Sequence, residues 1–123
     1  MGLDVTFYAV KKTGVGYFRK VNFILNYFDI EEEDNAKDIT ISKEQLGEFV
    51  AEARCELAQH KNLLECFDEP INPKFRNIDV FFGGSTAYDP HYWEDVSCAY
   101  KWANGVLNSF NWEECDLVIN AWW

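Results

Sequence analysis

The chain has 123 residues, 48% of them hydrophobic and 17% aromatic, and its 21 acids against 11 basic residues leave a formal charge of −10 at pH 7. That length suits one domain around one core, and that apolar content argues against a disordered chain. No apolar run approaches the roughly 20 residues needed to cross a bilayer, and the acidic balance argues against direct nucleic-acid binding, whose affinity comes from neutralising several phosphates.

Leu3, Val5, Phe7 and Ala9 alternate with Asp4, Thr6, Tyr8 and Val10, so residues 3–10 read as a half-buried strand. A turn over 11–16 follows, marked by Gly14 and Gly16. The spacing of Tyr17, Phe18, Val21, Ile24, Leu25 and Phe28 then predicts a helix of about three turns, with Arg19, Lys20, Asn22 and Asn26 on its polar side. Asp29 to Asp34 crowds five acids into six positions, a solvated loop, because close like charges repel unless water screens them.

Ile39-Thr40-Ile41 reads as a short β segment. Ser42-Lys43-Glu44-Gln45 matches a capping box, so a second helix is expected from Lys43 to about Cys66, its apolar face built from Leu46, Phe49, Val50, Ala53, Leu57 and Leu64. Glu44, Glu48, Glu52 and Glu56 fall on successive i, i+4 positions and are expected to form an acidic ridge on its outer face. Each like-charge pair there costs about 0.2–0.5 kcal/mol. Phe67 to Arg76, with Pro70 and Pro73, reads as a loop, and Ile78 to Phe82 as a strand ending at Gly83-Gly84. Asp89-Pro90 starts a third helix that carries Trp93, Val96, Tyr100, Ala103, Leu107 and Phe110 on one face. After a break over Asn111 to Glu114, Leu117 to Trp123 reads as a strand or as an aromatic tail laid on the sheet. The order of elements predicts an α+β fold, a single domain whose small sheet of three to four strands is covered by about three helices.

One segment resembles a ligand loop, because a strand–glycine–helix sequence can point backbone N–H groups at an anion. It comprises Gly83, Gly84, Ser85, Thr86, Tyr88, Asp89 and His91. It lacks the P-loop lysine and the G-x-G-x-x-G spacing, and Asp89, Glu94 and Asp95 oppose a phosphate. Ser85, His91 and Asp89 or Asp95 stand close in sequence, yet Gly83-Gly84-Ser85-Thr86-Ala87 is not the G-x-S-x-G elbow, and no catalytic residue is assigned. Cys55, Cys66, Cys98 and Cys115 form no C-x-x-C pair and read as small core residues. Neither His60 nor His91 stands at helical i, i+3 or i+4 spacing from a cysteine, so no metal and no cofactor are expected.

Charge is unevenly spread. Residues 1–28 hold four bases and one acid, a net +3, whereas residues 29–69 hold thirteen acids and four bases, a net −9. The opening Met1-Gly2-Leu3-Asp4-Val5 places an acid where a secretory signal carries bases, and the expected location is cytoplasmic.

Three landmarks stand together: Met1-Gly2-Leu3-Asp4 opening into a strand, Gly16-Tyr17-Phe18-Arg19-Lys20-Val21-Asn22 opening a helix, and Phe81 to Asp89 before the third helix. They resemble a family of small, functionally unassigned bacteriophage and prophage proteins. These open with MGLD, carry a Tyr-aromatic-Arg-Lys-x-Asn helix start and a Phe-Gly-Ser-Thr-x-Tyr-Asp loop; residues 29–76 have no counterpart. The resemblance implies a phage or mobile-element origin and a small intracellular accessory protein, with no active site attached.

The leading expectation is a non-enzymatic module that binds a host protein with a basic surface, for example as an inhibitor of a nucleic-acid-handling or defence enzyme. Glu31, Glu32, Glu33, Asp34 and the Glu44, Glu48, Glu52, Glu56 ridge would steer the encounter, with Trp122 and Trp123 as aromatic anchors. Two alternatives stand beside it: a small-molecule or nucleotide-binding enzyme using the Gly83 to His91 loop, and a self-assembling domain whose aromatics form a homo-oligomer interface.

Overall fold

A computed structural model describes residues 3–9, 14–78 and 86–123. Four antiparallel strands, β1 (Asp4–Ala9), β2 (Gly14–Arg19), β3 (Asp38–Ile41) and β4 (Leu117–Trp122), form one sheet in the order β2-β1-β4-β3. The helices are α1 (Phe23–Tyr27), α2 (Lys43–Ala58) and α3 (Pro90–Ser109). The fold is α+β, as the order of elements predicts. No helix among the described residues is long and apolar enough to cross a membrane.

β1 behaves as its alternation dictates: Leu3, Val5 and Phe7 are buried beneath the helices, while Asp4, Thr6 and Tyr8 point to the open face. β4 lies against it in register, Val5 opposite Ala121 and Phe7 opposite Ile119, and β3 continues the row with Ile39 opposite Ile119. The C-terminal segment is thus an inner strand rather than a tail.

The expected long first helix is corrected. Tyr17 and Phe18 belong to β2, paired with Thr6 and Val5 in a hairpin, and the helix shrinks to five residues. Adjacent apolar residues satisfy either period, and the free edge of β1 decided between them by supplying ladder hydrogen bonds. Phe18 turns inward against Phe7, and Tyr17 turns outward to donate its hydroxyl to Asp4 at 2.7 Å. Gly16 is needed where it stands: a Cβ there would lie 2.5 Å from the Trp102 indole, whose Nε1 donates to the Val15 carbonyl at 2.7 Å.

The capping box of α2 is formed as expected, Ser42 Oγ accepting from the Gln45 N–H at 3.0 Å and Gln45 Oε1 accepting from the Ser42 N–H at 2.8 Å. The Asp89-Pro90 start of α3 is formed as well, Asp89 accepting from the Tyr92 N–H at 3.0 Å. But α2 stops at Ala58, not near Cys66; the chain reverses, makes a 3₁₀ turn over Leu63–Glu65, and leaves Leu64 84% exposed instead of on a core face. Ile78 lies outside any strand, and the rest of the strand expected over 78–82 falls outside the described residues.

The aromatic excess is largely core. Phe7, Phe18, Phe28 and Trp102 form one cluster of ring contacts; Tyr27, Phe49, Phe75, Phe23 and Tyr92 continue it to Trp93 at the centre of the helical layer. Asn22, buried at the start of α1, and Asn26 within it fasten the 73–78 segment by hydrogen bonds to its backbone.

Candidate functional site

The acidic turn follows α1 directly. Glu32–Asp34 forms a 3₁₀ turn in which the Glu31 N–H donates to Asp34 Oδ2 at 2.9 Å, and Glu31, Glu32 and Glu33 stay exposed. Glu33 holds the Glu31 carboxyl above the usual range, by a shared hydrogen bond and by its charge, with further repulsion from Asp34 and Asp29. None of Glu31, Glu32, Glu33, Glu44 and Glu48 pairs with a cation among the described residues. Asp29 joins the turn to α2, since it lines one groove with Glu31 and Glu32 and another with Gln45 and Glu48.

This turn is fastened to the end of β4. The Ala36 N–H donates to the Ala121 carbonyl at 2.7 Å, and the Trp123 N–H donates to Asn35 Oδ1 at 3.1 Å. Trp122, between those two anchor points, is 60% exposed, whereas Trp123 packs partly against the core.

The expected glutamate ridge splits in two. Glu44 and Glu48 are exposed, but Glu52 accepts hydrogen bonds from Tyr27, Asn72 and Lys74, and Glu56 is only 3% exposed. Burial raises the Glu52 carboxyl, yet those hydrogen bonds and the Lys74 charge outweigh it and hold the group below its ordinary value. The Tyr27 phenol is raised, chiefly by burial, then by the charge of Glu52 and the hydrogen bond to it, and last by the charge of Glu48. The outer-face reading of Glu56 is therefore corrected: the loop after α2 folds back over it, and the carboxylate accepts from the backbone N–H groups of Ile71 at 2.9 Å and Asn72 at 2.7 Å.

Glu56 also lies 2.8 Å from His60 Nε2. The other ring nitrogen, Nδ1, is 3.7 Å from Cys66 Sγ and 3.7 Å from Asp68 Oδ2. Sequence reasoning missed this convergence because it looked for helical spacing; the five residues between His60 and Cys66 make a reversal closed by a 3₁₀ turn, not an α-helix. The cysteines as a set are not core either, since Cys66 is buried while Cys55 and Cys98 are exposed, and all four are free thiols.

The structure draws together part of the expected ligand loop. Asp89, His91 and Asp95 line a cleft of about 220 Å³ with Lys20, Asn22 and Asn77. Gly83, Gly84 and Ser85 lie outside the described residues; Thr86 is exposed, and Tyr88 is occupied in accepting the Asn77 N–H at 3.0 Å. Asp89 is engaged through Oδ1 as the helix cap.

Burial pushes the Asp95 carboxyl up to about 6, with Glu94 and Asp89 adding to the effect and His91 opposing it. Since the unfolded carboxyl titrates near 3.8, its protonated form favours folding. That contribution is complete below the unfolded value and lost as the pH rises through about 6. Asp95→Asn is therefore expected to raise stability at pH 7.5 by about 1 kcal/mol, allowing for solvent screening of a half-buried group, with a gain that shrinks as the pH falls toward 4. Urea titrations of both proteins across that pH range check it.

No known protein family, no curated protein and no solved structure matches this chain.

Proposed function

We propose that this chain is a non-enzymatic protein-binding module of the cytoplasm that presents its acidic turn, with the exposed face of α2, to a basic surface on a host protein. An inhibitor of a nucleic-acid-handling or defence enzyme encoded by a phage or mobile element is the concrete form. The observation that carries this reading is the placement of the exposed Trp122 beside an acidic turn whose glutamates have no cationic partner among the described residues. Uncompensated charge speeds and orients the encounter, and a tryptophan supplies the desolvated contact that holds the complex. Opposite charge on a partner would also relieve the repulsion that lifts the Glu31 carboxyl.

The test compares wild type, Trp122→Ala, and a triple reversal of Glu32, Glu33 and Glu48 to lysine, each used to capture partners from host lysate at several salt concentrations. A discrete basic protein is expected on the wild type, with association slowed by salt and by the triple reversal, and with affinity reduced about 30-fold or more by Trp122→Ala. All three baits stay folded, because the altered side chains are surface groups. Capture of the same proteins in the same amounts by all three baits overturns the reading.

A further inference from the structure

We propose that His60, Cys66 and Asp68 bind a divalent cation of the zinc class, with Glu56 as the residue that orients the imidazole. The three donor atoms form a nearly equilateral triangle: Nδ1 to Sγ 3.7 Å, Nδ1 to Oδ2 3.7 Å, and Sγ to Oδ2 3.9 Å. A tetrahedral Zn²⁺ with bonds of about 2.0–2.3 Å keeps such donors roughly 3.3–3.6 Å apart. Each edge therefore has to shorten by only a few tenths of an ångström, a motion that the exposed Asp68 side chain and the loop bearing it can supply.

The histidine presents the nitrogen that a metal requires. The Glu56 oxygens already accept from two backbone N–H groups and lie 2.8 Å from His60 Nε2, so in the proposed site this nitrogen carries the ring proton toward the carboxylate. Nδ1 then turns its lone pair toward Cys66 and Asp68. A carboxylate on the far ring nitrogen is the arrangement that fixes a ligand's tautomer and strengthens it as a base. The ring is also held in place, packed against Trp93 with centroids 3.9 Å apart and planes tilted by 38°, and Trp93 Nε1 donates to the Asp68 carbonyl at 3.0 Å. One indole thus locks both the imidazole and the backbone that bears the carboxylate ligand.

An imidazole, a thiolate and one carboxylate suit zinc and its neighbours rather than calcium or magnesium, which take oxygen ligands. Binding releases the Cys66 thiol proton. Because Asp68 projects into solvent, its side chain being 79% exposed, water completes the fourth position. The site stands apart from the acidic turn and rests on different residues, so neither reading depends on the other.

Titration of the reduced full chain with Co²⁺ tests this. The expected result is one equivalent bound, with tetrahedral d–d absorption and a thiolate-to-cobalt charge-transfer band, both removed by an equivalent of Zn²⁺. Cys66→Ser abolishes the charge-transfer band, and Asp68→Asn, at an exposed position that leaves the fold intact, weakens Co²⁺ by about tenfold or more. Glu56→Gln weakens it roughly 10–100-fold while the saturated band keeps its position, which separates an orienting group from a ligand. A double Cys55→Ser, Cys98→Ser variant keeps the band. Absence of the band in the folded wild type, its loss in that double variant, or unchanged Co²⁺ affinity in Asp68→Asn overturns the proposal, leaving Cys66 and His60 as a plain thiol–imidazole contact.

Discussion

Glu56→Ala is expected to lower the free energy of unfolding by about 4 kcal/mol, the range in which removing one partner of a buried charged network falls. The reason lies in what the carboxylate leaves behind. Its two oxygens accept from the Ile71 and Asn72 backbone N–H groups and lie 2.8 Å from His60 Nε2, and the Glu56 and His60 side chains are both buried. Truncation removes the acceptor of two backbone N–H groups and the carboxylate partner of a buried imidazole, and a buried polar group left without a partner costs its full desolvation penalty. Glu56→Gln keeps the volume and one oxygen but turns an amide NH₂ toward a donor, and a loss of about 2 kcal/mol is expected. Glu44→Ala and Glu48→Ala, at exposed positions in the same i, i+4 row, should change stability by no more than about 0.5 kcal/mol. Urea denaturation of the four variants, with midpoints compared at constant slope, reads all of these. Equal midpoints for Glu44→Ala and Glu56→Ala would show that the carboxylate is not the anchor of the 71–72 segment.

The second large effect is expected at Trp93. The side chain is fully buried and contacts His60 and Tyr92 through its ring and the Asp68 carbonyl through Nε1. Trp93→Ala should cost about 4 kcal/mol, from lost apolar transfer and the cavity left between α3 and the 60–68 segment. Trp93→Phe retains most of the ring area but abandons the Asp68 carbonyl, and about 1–2 kcal/mol is expected. Because Trp93 and Glu56 both hold His60, their alanine variants should not add: a double-mutant cycle is expected to give a coupling of about 1 kcal/mol or more. A coupling near zero would mean that the two residues stabilise separate parts of the fold.

Several features were legible in the residues themselves, and all of them are local. The alternation from Leu3 to Ala9 is a pattern of adjacent residues, the Ser42/Gln45 box and the Asp89-Pro90 start arise from hydrogen bonds within about four residues, and each is formed as read. The crowding of acids after Asp29 needs no fold to be recognised, since it is a property of the chain.

What the residues left open was decided by distant neighbours. Tyr17 and Phe18 carried a spacing that fits a helix, and only the free edge of β1 made them a strand. Glu56 completed a regular i, i+4 row, and nothing in that row distinguishes an exposed glutamate from one covered by a loop fifteen residues away. His60, Cys66 and Asp68 meet only because α2 ends at Ala58 and the chain doubles back beneath Trp93. By itself the sequence therefore determined the alternation of β1, the starts of α2 and α3 and the sign of the field, because those depend on neighbouring residues and on composition. The tertiary structure decided burial, pairing and the meeting of chemically active groups, because these depend on which surfaces the folded chain brings into contact.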